Sequence, residues 1–178
     1  MAVTQIALLR GINVGKSKRL AMADVRAVIE SLGGSDVRTL LNSGNAVWSA
    51  KKTLTGPALQ KAILDATRVD TRTTVLTAAD LATIIAEHPL TDVVTDNSRF
   101  LCYLPAEARD LAKFEPLVDR SWAVELRIGS RAAYVWSPDG VLAGRLFEHV
   151  NRTLGDAFTA RNWNTLQKLQ QMVTDSAR

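Results

Sequence analysis

Cationic side chains crowd the start of the chain: Arg10, Lys16, Lys18 and Arg19 all precede the first acid, Asp24. Positive charge of this kind attracts phosphates and carboxylates and raises their encounter rate. A solvated loop gives the same pattern, so charge alone does not separate the two. Within the stretch, Gly11-Ile12-Asn13-Val14-Gly15-Lys16-Ser17 falls one residue short of the phosphate-cradling pattern of nucleotide hydrolases, and it follows a strand as that pattern does. The missing residue matters, because spacing decides which backbone N–H groups point at the phosphates. In that pattern the Lys-Ser pair also opens a helix, whereas here Lys18-Arg19-Leu20-Ala21 intervenes. The spacing therefore excludes a nucleotide hydrolase and leaves a simpler expectation, an anion held by backbone N–H groups and Lys16.

Two further constellations carry polar groups at informative spacing. Ser43-Gly44-Asn45 has turn composition, and the plain reading is a hairpin that uses a positive φ at the glycine. Asn45 opens the strand after that turn. If this strand runs antiparallel beside the first one, Asn45 comes to lie near Arg10, and the two make a polar rim. Arg161-Asn162-Trp163-Asn164-Thr165 leads into the last helix. Asn164 with Gln167 fits a capping box, a local role that stabilises by ~1 kcal/mol. If the helix starts early, Arg161, Asn164 and Lys168 share a sector of roughly 60°, with Trp163, Leu166, Leu169 and Val173 on the other side. A helix N-terminus with a cation beside it suits an anion. The candidate ligand contacts are thus Arg10, Asn13, Lys16, Ser43, Asn45, Arg161, Asn164 and Lys168.

Other chemistries find little support. His88 and His149 sit near helix ends without an acid or cysteine at ligand spacing, so no metal is expected. Cys102 is the sole cysteine and lies in an apolar strand, which leaves no disulfide framework and no zinc set. There is no nucleophile elbow and no carboxylate pair placed for acid–base work. No cofactor is expected. Trp48, Trp122 and Trp136 fall on strands and read as core or lobe contacts. Ferredoxin-like RNA binders stack bases on aromatics of their first and third strands. The first strand here has none and the third has only Trp48, which argues against that mode.

The elements that must position these residues follow from hydrophobic periodicity. Thr4 to Arg10 is apolar at four successive positions, Ile6 to Leu9, as a strand buried on both faces requires. Met22, Val25, Ile29 and Leu32 recur at helical spacing, and Gly33-Gly34 ends that helix. Val37 to Leu41 and Ala46 to Ser49 form a hairpin. Thr55-Gly56-Pro57 opens a second helix with Leu59, Ile63 and Ala66 on one face, and Thr71 to Leu76 is a strand. The order β-α-β-β-α-β, with an added helix from about Thr77, is the ferredoxin-like, split βαβ arrangement. Residues 89–97 form a polar connector, which places the lobes at 1–90 and 98–178. The second half reads β-α-β-β-α-α: strands Phe100–Leu104, Trp122–Ile128 and Ala132–Trp136, a helix over Ala106–Phe114, another through Leu142, Leu146, Val150 and Leu154, and a last one from Asn164 to Val173. The fold class is α+β in two lobes, packed as one compact unit.

Three stretches resemble the signatures of the bacterial DUF1697 family, a domain of unknown function. They are Ala7-Leu8-Leu9-Arg10-Gly11-Ile12-Asn13-Val14-Gly15, then Val37-Arg38-Thr39 with Ser43-Gly44-Asn45, then Thr159 to Thr165 with Lys168-Leu169. The family pattern has a second glycine before the loop lysine, glutamine where Asn42 stands, and Ser-Lys where Gly144-Arg145 stands. The resemblance implies a fold and no chemistry.

With 178 residues, 47% hydrophobic and 22% charged, the chain needs neither metal nor disulfide to fold. Met1 to Gln5 lacks a basic leader region, and no apolar run approaches the ~18 residues of a membrane span. With a single cysteine, a cytoplasmic protein away from membranes is the expectation. For function, the residues favour binding of an anionic, phosphate- or carboxylate-bearing ligand, a nucleotide or nucleic acid included, and the net charge of +4 permits this without demanding it. The alternatives are a metal-independent enzyme on a small phosphorylated or carboxylated substrate, and a protein-interaction module.

Overall fold

The computed structural model describes residues 2–13, 19–40, 42, 44–118, 120–143 and 145–176. The chain divides into two units, residues 1–79 with 169–178, and residues 80–168. The division thus falls at Ala79, ahead of the polar connector.

The first unit contains β1 (Val3–Arg10), α1 (Met22–Ser31), β2 (Ser35–Leu40), β3 (Asn45–Ala50), α2 (Gly56–Thr67) and β4 (Arg72–Thr77). Its sheet has the order β2-β3-β1-β4, with every neighbouring pair antiparallel. β1 is central, which is why Ile6, Ala7, Leu8 and Leu9 are all buried. Strand alternation splits them between two faces. Ala7 and Leu9 join Val25 and Ile29 of α1, Leu59 and Ile63 of α2, and Trp48 of β3 in one core on the helix side. Each large side chain buried there contributes roughly 1.5–3 kcal/mol. Local signals set the limits of α2. The Thr55 hydroxyl accepts a hydrogen bond from the Ala58 N–H at 3.3 Å, Pro57 occupies the first turn, and Arg68 ends the helix at φ 61°.

The second unit repeats that order. It comprises most of α3 (Ala78–Ala86), β5 (Phe100–Pro105), a 3-10 helix (Ala108–Phe114) running into α4 (Glu115–Val118), β6 (Glu125–Ile128), β7 (Ala133–Trp136), α5 (Leu146–Thr153), β8 (Phe158–Asn162) and the first turns of α6 (Trp163–Ser176). Its sheet order β6-β7-β5-β8 matches that of the first unit strand for strand. Leu101, Tyr103, Phe114, Leu126, Val135, Val150 and Phe158 form its helix-side core.

The two-lobe α+β layout expected from the sequence holds, with one strand added. β8 completes a second β-α-β-β-α-β, where periodicity alone gave only two closing helices. Its sequence, Phe-Thr-Ala-Arg-Asn, alternates only through Phe158 and Ala160, which face the helix-side core, and it pairs on one side, to β5. Three boundaries also move. β6 begins at Glu125 rather than Trp122, whose indole N–H instead donates to the Leu117 carbonyl at 2.8 Å. α5 begins at Leu146, which leaves Leu142 outside it and 79% exposed. α6 begins at Trp163 with Asn162 as its cap, so Asn164 lies inside the first turn and no capping box forms at Asn164.

His88 lies in the second unit, stacked on Phe100 with ring centroids 4.5 Å apart and edge-on to Trp163, also at 4.5 Å. Its Nδ1 accepts the Leu90 N–H at 3.1 Å, which requires that nitrogen to be unprotonated. Burial lowers its pKa below the usual 6.5. A histidine depressed in the folded state contributes stability that is present above its unfolded pKa and lost as pH falls through the folded one. Urea midpoints are therefore expected to hold steady above about pH 6.5 and to fall below it. His88→Phe should flatten that fall; an unchanged pH profile in the variant would show that His88 is not its source.

Candidate functional site

Arg10 ends β1. Leu9 packs into the helix-side core, so alternation puts Arg10 on the opposite face of the sheet, with Ile6 and Leu8. Directly across from it in the antiparallel register stands Arg72, the first residue of β4. Residues so paired have Cβ atoms about 4.5–5.5 Å apart. Arg10 is half-buried and Arg72 exposed. The Thr71 hydroxyl donates to the Arg10 carbonyl at 2.9 Å and ties this end of the strand pair.

Asn45 pairs with Leu8 and therefore shares the face of Arg10, close to the end of β1, as the sequence suggested. It is fully buried, however, and its amide donates to the Leu40 carbonyl at 2.9 Å across the hairpin. Gly44 stands at φ +86°, and its carbonyl accepts the Leu9 N–H at 2.7 Å. This signature thus anchors the turn to the end of β1. Ser43 and Lys16, both candidates from the sequence, lie outside the described residues.

Asn13 has a different role from the one expected. It sits at φ 55°, a left-handed conformation that asparagine tolerates better than most residues. Its amide nitrogen donates to the carbonyls of Leu20 (3.0 Å) and Asn42 (2.7 Å), and its amide oxygen accepts the Leu20 N–H at 3.0 Å. The side chain imitates a peptide group and pins Leu20 to the residues after β1. With both donors engaged, Asn13 positions the loop rather than offering hydrogens to a ligand. Asn13→Ala is expected to cost ~1–3 kcal/mol, the range for stranding partners of a lost hydrogen-bonding group. Urea denaturation measures it; a change within ~0.5 kcal/mol, as at an ordinary surface position, would show that the clamp contributes nothing.

Beside this clamp opens a cavity of about 650 Å³, with Asn13, Arg19, Met22, Asp24 and Asn42 in its wall. A second cavity of about 410 Å³ runs along α1 and α2. Leu20 and Met22 border the first and also pack with the helix-side core, so this wall belongs to the helix side of the sheet, away from the Arg10 face.

In the second unit, Arg161 lies on β8 opposite Cys102. It is half-buried, and its guanidinium donates to the Ala160 carbonyl at 2.9 Å. Burial lowers its pKa to about 10, still a cation at neutral pH. The carboxamide oxygen of Asn162 accepts from the Thr165 N–H (3.0 Å) and hydroxyl (2.8 Å), which caps α6. Asn164 and Lys168 are exposed and four residues apart, so they share one face of α6. Arg161 is on a strand and does not continue that helical stripe.

Sequence reasoning passed over Arg72, which reads as one polar residue in a threonine-rich strand. The register against Arg10 is the signal that finds it, and register is a property of the folded sheet.

A split βαβ unit occurring twice in one chain, with a cationic end on the first sheet, is the class of protein these elements define. The chain belongs to the DUF1697 family of proteins of unknown function, whose model matches residues 2–134. The third signature stretch, from Thr159, lies beyond that match. The fold is also similar to that of the conserved bacterial protein SP0830 from Streptococcus pneumoniae, with a TM-score of 0.77 and 20% sequence identity over 97% of this chain and 99% of that one. At this identity the likeness shows the fold. No curated protein matches the chain. No helix among the described residues is long and apolar enough to cross a membrane.

Proposed function

We propose that this protein binds an anionic small molecule, bearing phosphate or carboxylate, at the loop end of the first unit's sheet. The observation that carries the reading is the register pair Arg10–Arg72. Like charges directly opposite on one sheet face repel. An anion there would accept charge-assisted contacts from both, and the planar guanidinium fork matches carboxylate and phosphate oxygens in pairs. Asn45, Gly44 and Thr71 serve as positioning residues that hold the two strand ends.

Comparison of the two units supports the same place. β5 reaches its following helix through only Ala106 and Glu107, whereas β1 reaches α1 through residues 11–21. The architecture does not need the longer connection, and long connections in compact units commonly carry function. A small molecule fits better than RNA. Trp48 is buried in the helix-side core, so it is unavailable for stacking bases.

The test is a thermal-shift screen against inorganic phosphate, nucleotides, sugar phosphates and di- and tricarboxylates. A ligand at about 100-fold its Kd stabilises by ~2.7 kcal/mol and shifts the midpoint measurably. Arg10→Ala and Arg72→Ala are each expected to abolish the shift, read against each variant's own unliganded midpoint. A shift that survives both substitutions would place the anion elsewhere, and the absence of any shift would count against anion binding.

A further inference from the structure

β6 is one edge of the second unit's sheet and, among the described strands, pairs with β7 alone. At the turn between them the Gly129 N–H donates to the Ala132 carbonyl at 2.9 Å, so that pair is a hydrogen-bonded one. Hydrogen-bonded and non-hydrogen-bonded pairs alternate along an antiparallel ladder. Arg127 and Glu125 therefore bond to Tyr134 and Trp136, and the main-chain groups of Leu126 and Ile128 point away from β7. The Arg127 guanidinium donates to the Leu126 carbonyl at 2.9 Å, as suits a carbonyl that β7 does not take. The same guanidinium pairs with Glu125 at 3.2 Å, and both side chains are about half exposed. Leu126 packs into the helix-side core with Val124 and Ile128 beside it, so Glu125 and Arg127 share the other face of the sheet. An open edge is a template for a further strand, and charged side chains along it commonly prevent that pairing. Here the order of the charges admits one strand.

We infer that β6 is a self-recognition edge, through which two copies of this chain pair antiparallel about a twofold axis at Leu126. In such a contact residue i meets j and j meets i. With Leu126 opposite itself, Glu125 of each copy stands directly opposite Arg127 of the other, on one face of the joined sheet. Opposite charges so placed attract, and like charges repel. The Leu126 carbonyl exchanges the Arg127 guanidinium for the Leu126 N–H of the second copy, and each Arg127 turns from its own Glu125 to the other copy's. The outward main-chain groups of Leu126 are the ones this register needs. A strand of single-sign charge from another protein meets a like charge at one of the two positions, whereas a second copy meets none. The other edges lack this property. β4 and β8 carry no acid. β2 carries Asp36 and Arg38 at the same spacing, but its register shifts between Ser35 and Arg38, an irregularity of the kind that blunts an edge. The β6 edge lies in the second unit and does not depend on the Arg10–Arg72 reading.

Sedimentation equilibrium of the whole chain, taken to millimolar concentration, tests the inference. The wild type should associate reversibly into dimers, and weakly, since each copy contributes a strand of four residues. Arg127→Glu and Glu125→Arg each set like charges opposite one another at both positions, and each should weaken dimerisation by about 10-fold or more. Mixed in equal amounts, the two variants should form a heterodimer, because each supplies the charge that the other lacks. Glu125→Arg and Arg127→Glu combined in one chain should restore the dimer. This charge exchange separates the inference from a merely structural role of either residue, which a mixture of the two variants would not rescue. A wild type that stays monomeric throughout would overturn the inference. So would dimers that persist in both single variants, or a mixture that remains monomeric.

Discussion

Replacing Gly44 by alanine is expected to destabilise the protein by about 2–5 kcal/mol, the sum of backbone strain and overpacking. Both terms have a visible source. Gly44 holds φ +86°, a region that costs a residue with a Cβ roughly 1–2 kcal/mol. A Cβ built there would lie 2.7 Å from the Cβ of Leu9 and 2.9 Å from Cδ1 of Ile12. Leu9 is locked in the core and has nowhere to move, so the clash adds a typical overpacking cost of ~1–3 kcal/mol. Gly33 supplies the control. Its φ is +88°, almost the same, and nothing lies within 4 Å of a Cβ built on it. Gly33→Ala should therefore show the strain alone, and the difference between the variants isolates the contact with Leu9. Equal losses in urea denaturation would mean that the turn does not press on β1. That contact is what makes Ser43-Gly44-Asn45 more than a loose turn: it sets the end of β1, from which Arg10 projects.

Phe114→Ala is expected to cost about 3–5 kcal/mol, the usual loss when a buried phenylalanine is truncated. Phe114 is fully buried in the second unit. Its ring meets Phe158 edge-on at 4.7 Å and Tyr103 at a tilt, at 5.3 Å. Tyr103 comes from the central strand β5 and Phe158 from the edge strand β8, so this cluster ties β8 to two consecutive elements far from it in sequence. Aromatic pairs of this geometry contribute ~0.5–1.5 kcal/mol beyond area burial. A double-mutant cycle between Phe114→Ala and Phe158→Ala should return a coupling of that size, about 0.5–1.5 kcal/mol, if β8 is docked as described. Additive losses would mean that β8 is not held by this ring pair.

Much of the first unit was legible in the residues because each element carries a local signature. Four successive apolar residues demanded a strand buried on both faces, and β1 is the central strand. The Thr55-Gly56-Pro57 start of α2 is a local capping event and appears where expected. In the second unit the legible parts were again those with strong periodicity, β5 and β7. β8 was not legible because its five residues carry only two apolar positions, Phe158 and Ala160, and run straight into the helix that starts at Trp163. Its pairing with β5 is decided across more than fifty residues of chain, as in Cys102 opposite Arg161.

The candidate site divides along the same line. The cationic stretch, the turn at Gly44 and the polar start of the last helix are composition and spacing, which the sequence determines by itself. The face each side chain occupies is not. Arg10 and Asn45 share a face because the β1–β3 register sets Leu8 against Asn45. Asn13 turned out to be a clamp because three backbone groups from two other segments converge on it. Arg72 became a partner of Arg10 only when the strands paired. Local chemistry chooses elements within a few residues of chain, whereas register and packing pair groups that are distant in sequence, and only the tertiary structure decides those.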